Sequence, residues 1–173
     1  IRASIFLATY ELLKALIVNQ PKDFFSAPQK DRYKQEVLDL YTKDQFQASC
    51  LWFMKQNAIS QDDIAEIDKI RKHRNDIAHE LPMYLIDSNF QVNIGLFESI
   101  KTLITTIDRW WSRNIVIPLD PNYDGQDLSL IKDKDIYSGN MMFMDIISKI
   151  IEGKENELLN LYDYFVDKWN YDV

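Results

Sequence analysis

Arg74, Asn75 and His79 stand close together in the stretch RKHRNDIAHELP, which also holds both histidines of the chain. An imidazole exchanges a proton near neutral pH and so serves as general acid or base. A guanidinium grips a phosphate through two parallel hydrogen bonds and balances charge as it develops. An asparagine orients a hydroxyl or a phosphate oxygen while staying neutral. Together the three suit phosphodiester cleavage without a metal, with a ribose 2′-OH as nucleophile.

The element that must position them is a helix. Ser60 followed by Asp63 is a variant capping box, and an apolar-periodic run begins directly after it. The helix is expected over about residues 61–80, because Pro82 opposes continuation. At about 100° per residue, Ile67, Ile70, Ile77, Ala78 and Leu81 share one core-facing stripe. Arg74 falls in the middle of that stripe, where an ordinary amphipathic helix carries Leu. A buried guanidinium needs a carboxylate, a cavity or a subunit boundary. Asn75 and His79 are four residues apart and share a neighbouring face, with Asp68, Arg71 and Lys72 on or beside it. His73 points away from His79, and this spacing does not place two imidazoles on one face for a metal. In a purely structural reading, Arg74 pairs with Glu36 or Asp39 in the core, and His79 is a satisfied polar residue near the helix end.

The rest of the chain reads as an all-α, up-and-down bundle of about five to seven helices in a single domain, residues 1–173. Four Gly and five Pro in 173 residues leave little turn chemistry, and 46% hydrophobic residues can bury a real core. Helices are expected over 2–19, stopped by Pro21, then over 31–42, and from a cap at Asp44. A long helix is expected over 94–115. Weak strand signals appear only around MYLIDSNFQVNI. Residues 118–136 read as a polar excursion, and 137–173 as a C-terminal helical pair divided by Gly153. Trp110 and Trp111, flanked by Arg109 and Arg113, offer a base-stacking platform, although core packing is the commoner use of such residues. The Met-aromatic cluster GNMMFMD reads as ordinary packing, and KDKDI as solvated surface.

Composition narrows the partners. A net charge of −7 gives no general attraction to nucleic acid or anionic lipid, so any phosphate-binding surface is local. The single Cys50 lies in an apolar run and reads as a buried, inert thiol, which fits a reducing cytosol. No apolar run approaches a bilayer span, so no membrane is expected; no cofactor is expected either. The chain opens at Ile1 without Met and already in helical register, so residues upstream of it are expected.

RNDIAH, from Arg74 to His79, resembles the R-x4-6-H motif of the HEPN superfamily in its common form with Asn directly after Arg. The basic residues before Arg74 and the small residue before His79 are similar too, as is an all-α bundle with the motif on a late core helix. The resemblance implies a metal-independent endoribonuclease that works as a homodimer, with two motif helices forming one composite site. His79 would be the acid–base group, Arg74 the phosphate and transition-state ligand, and Asn75 the positioning residue. Arg71, Lys72 and His73 would contribute to a substrate groove, and Glu36 or Asp39 is the candidate acidic helper on an earlier helix. It also implies a cytoplasmic role in toxin–antitoxin or phage defence, with an antitoxin or regulatory protein as partner. Other members are non-catalytic modules that dimerise, bind nucleotides or bind partner proteins.

Overall fold

The computed structural model describes residues 2–25, 30–87 and 89–153, and all regular structure among them is helical. Helix α1, Arg2–Phe24, buries Ala3, Phe6, Tyr10, Leu13 and Ile17 along one face. That face packs against α3 (Gln45–Lys55), α4 (Gln61–His79) and α6 (Ile94–Trp111). The helix that touches most of the others is therefore α1, and the motif helix α4 lies between α1 and α6. Between α1 and α3 lies the short α2, Lys30–Glu36. After α4, the chain forms α5, Leu81–Ile86. Beyond α6 come α7, Ile117–Leu119, and α8, Gly139–Glu152, which packs on α6.

Several boundaries differ from expectation for definable reasons. Pro21 does not stop α1; the helix continues to Phe24 with Pro21 buried inside it. A proline there removes one amide donor near the end of the helix. The Phe25 N–H still reaches the Pro21 carbonyl at 3.1 Å, and buried Phe25 packs edge-on against Trp52. The helix expected over 31–42 ends at Glu36 and tightens into a 3₁₀ turn at Leu38–Leu40. Tyr41 is already extended (φ −157°), and Asp44 caps α3 by accepting the Phe46 N–H. The weak strand signals come to nothing among the described residues: Pro82 sits in the first turn of α5, and Asn93 caps α6.

α6 ends at Trp111 and opens into a π turn, Ser112–Val116. The Ile117 N–H bonds the Ser112 carbonyl five residues back, and Pro118, next in the chain, has no N–H to donate. The excursion that follows is organised by aspartates. Asp120 and Asp127 accept the N–H groups of Asn122 and Ser129 and start 3₁₀ turns at Pro121–Tyr123 and Leu128–Leu130. Ser138 caps α8, and Gly153 ends it in the left-handed conformation (φ 72°), which only glycine adopts without strain. The second helix of the C-terminal pair falls in residues outside those described.

The core joins Phe6, Leu13, Ile17, Phe53, Ile67, Ile70, Ile77, Ile100, Ile104 and Ile107, all essentially inaccessible. Trp110 and Trp111 pack edge-on or tilted against Trp52 and Phe53, which is the structural use expected of them. Cys50 is buried, and burial pushes its thiol pKa up to about 12, so it is an inert core residue. One buried carboxylate stands out. Asp108 on α6 is 4% exposed and accepts from Gln20 of α1 at 3.2 Å, from Asn140 of α8 at 3.1 Å and from Ser138. Three helices are tied at that point.

Candidate active site

The capping box opens α4 as the sequence implied. Ser60 Oγ accepts the Asp63 N–H at 3.1 Å, and the Asp63 carboxylate accepts the Ser60 N–H at 2.7 Å. Ile64, Ile67, Ile70 and Ile77 are buried, while Leu81 is half-buried against the core. Ala78, expected in that stripe, is exposed. It lies at the edge of the apolar sector in the last turn of α4, and a methyl group gains little by burial.

Arg74 takes the place of a core leucine without entering the core. Its guanidinium lies 5.4 Å from the centroid of the Tyr10 ring, in cation–π contact. From there it donates to Glu11 at 2.7 Å and to the Asn75 side-chain oxygen at 3.4 Å. Its Nε is shielded from solvent and has no hydrogen-bond partner among the described residues. The side chain remains 33% exposed, and the Glu11 carboxylate 48%. Adjacent residues of α1 therefore hold one guanidinium from two directions, and its far end is presented at the surface. Burial raises the Tyr10 phenol above its ordinary value, against the opposing pull of the Arg71 guanidinium.

The acidic partner is thus Glu11 and neither of the two proposed from sequence. Glu36 pairs loosely with Lys55 at 3.8 Å, and Asp39 is exposed in the turn after α2, where it lines a surface hollow with Tyr41 and Lys43. Both belong to the segment that precedes α3, whereas α4 lays Arg74 across α1. The signal that could have found Glu11 is its isolation: it is the only acid among the first twenty residues, beside a tyrosine on the buried face.

Asn75 and His79 are exposed and one helical turn apart, so the structure gathers Arg74 and Asn75 by direct contact and sets His79 on the same face. His79 is the last residue of α4, where the Glu80 N–H closes the helix on the Asp76 carbonyl at 3.0 Å.

The three neighbouring basic residues diverge. Arg71 bonds Asp44 at 2.9 Å, using the carboxylate oxygen not engaged in capping α3. Lys72 is exposed. His73 turns inward: its Nε2 accepts the Asn93 N–H at 3.0 Å, and its ring meets Phe6 edge-on at 5.0 Å. Burial holds the His73 pKa below the ordinary imidazole value, with Asp76 opposing. His73 is a neutral structural residue that fastens the loop before α6, which removes it from the expected substrate groove. Among the described residues no group of three or more His, Cys, Asp or Glu side chains is arranged to hold a metal, and no helix is long and apolar enough to cross a membrane.

Comparison with family models, with curated proteins and with solved structures finds no match to this chain.

Proposed function

We propose that the chain is a metal-independent endoribonuclease of HEPN type, acting as a homodimer in which the ends of two α4 helices form one site. The observation that carries this reading is the guanidinium of Arg74, held at the surface by Tyr10 and Glu11 beside exposed Asn75 and His79. Exposed Ala78, between Asn75 and His79, leaves room for close approach of a second helix.

In the step this supports, one His79 takes the proton of a ribose 2′-OH as its oxygen attacks the adjacent phosphorus. Arg74 and Asn75 hold the non-bridging oxygens while negative charge grows on them. The P–O5′ bond breaks, and the second His79, already protonated, gives its proton to the departing 5′ oxygen. The products are a 2′,3′-cyclic phosphate and a 5′-hydroxyl. Glu11 keeps the guanidinium extended between turnovers, in the position the resemblance gives to an acidic residue on an earlier helix. In the cell such an enzyme serves toxin–antitoxin or phage-defence systems, in the cytoplasm and under control of an antitoxin or regulatory protein.

A second reading, a non-catalytic HEPN-like module for dimerisation, nucleotide or partner binding, is favoured by one feature: the Arg74 guanidinium already has a carboxylate on it. End-group analysis of single-stranded RNA incubated with the purified protein in EDTA separates the two. Cyclic-phosphate ends that vanish with His79→Ala support the enzyme, and intact RNA across activating conditions supports the module.

A further inference from the structure

The C-terminal part of α6 carries a second concentration of positive charge, remote from the α4 motif. Arg109, Trp110, Arg113 and Asn114 line a cavity of about 320 Å³, together with Thr105 and Thr106 one turn earlier. The cavity adjoins α4 only through Ala58, ahead of its first turn, while His79 closes the other end of that 19-residue helix, about 27 Å away along the axis.

Arg109 is the informative residue. Its Nε is shielded from solvent and unpartnered, and among the described residues no carboxylate pairs with its guanidinium. A half-buried arginine held in this way awaits an anion, because an unmatched donor out of water is costly. Arg113 sits in the π turn that interrupts the helix, a distortion that recurs where helices build sites. It bonds Asp133 at 2.6 Å, and that carboxylate is 69% exposed on the excursion. An ion pair so open to water is weak and readily exchanged for a competing anion. Asn114, which also lines the cavity, donates to the Trp110 carbonyl at 2.8 Å. The half-buried Trp110 ring forms an apolar wall.

We propose that this cavity binds a small phosphate monoester, its phosphate held by Arg109 and Arg113 and its body laid against Trp110. Two guanidinium groups with neighbouring hydroxyls match the oxygens of a dianionic phosphate. The volume lies at the lower bound of ligand pockets, which admits a mononucleotide and excludes larger cofactors. Asp133 is the placeholder that the phosphate displaces. The α4 motif plays no part, so the proposal stands whether or not the chain cleaves RNA.

The test is titration of the purified full chain with AMP, adenosine and inorganic phosphate, followed by calorimetry and tryptophan fluorescence. Saturable binding of AMP below about 1 mM is expected, with adenosine much weaker. Arg109→Gln should weaken AMP about tenfold, and Asp133→Asn, on an exposed loop, should tighten it about threefold. AMP binding tighter than phosphate would identify a nucleotide-like ligand, and equal binding would identify free phosphate. The proposal is overturned if wild type binds neither phosphate ligand saturably, if adenosine binds as well as AMP, or if Asp133→Asn leaves phosphate affinity unchanged.

Discussion

At the scale of single residues, the account turns on how Arg74 is held. A guanidinium in the middle of an apolar stripe demands a partner, and that demand is readable from spacing alone. Its fulfilment is not, because Glu11 lies 63 positions away and only the crossing of α1 and α4 brings them together. Both side chains are partly exposed, so their pairing contributes at most about 1 kcal/mol to stability. Glu11→Gln should therefore leave the unfolding free energy within about 1 kcal/mol of wild type while lowering RNA cleavage severalfold, as paired denaturation and cleavage measurements would show. His73 gives a second expectation. Its folded pKa is depressed by burial, so its contribution is fully present above the ordinary imidazole value near 6.5 and is lost as pH falls through the lower folded value. Stability should fall as pH drops below the ordinary imidazole value, and His73→Gln, which keeps an acceptor for the Asn93 N–H but does not titrate, should flatten the loss. Chemical unfolding at a series of pH values checks it. Helical spacing pointed His73 away from His79, yet could not reveal the aromatic contacts and backbone bond that make it structural.

At the scale of elements, caps and apolar periodicity were the legible features. Asp44, Ser60 and Gly153 each begin or end a helix through local chemistry, which is why these residues mark α3, α4 and α8 without knowledge of the fold. What escaped were places where tertiary packing outweighs a local signal, such as Pro21 inside α1, and the π turn that interrupts the helix expected over 94–115. Ser60→Ala removes one half of the capping box and should cost about 1 kcal/mol in a denaturant unfolding experiment. Asp108→Ala should cost more, about 2–3 kcal/mol, because it leaves the Gln20, Ser138 and Asn140 donors unmatched at a buried junction of three helices. If the two substitutions prove equally mild, the tie between α1, α6 and α8 is not what holds α8 in place.

At the scale of the whole molecule, an acidic chain must bind a polyanion through a local basic surface. Of the basic residues before the motif, Arg71 is committed to Asp44 and His73 to the core, which leaves Lys72 and the presented face of Arg74 from each copy. Few phosphate contacts imply modest affinity with a shallow dependence on salt. The all-α architecture followed from composition and periodicity, while the centrality of α1 followed only from packing that no local pattern encodes. The central claim, that Arg74, Asn75 and His79 form a ribonucleolytic site, is tested most directly by the rate of single-stranded RNA cleavage in EDTA for wild type, His79→Ala and Arg74→Ala, each matched by circular dichroism. The account predicts cleavage by wild type and a loss of at least about 100-fold in both variants. Cleavage that persists unchanged in His79→Ala, or a wild type without activity, would contradict it.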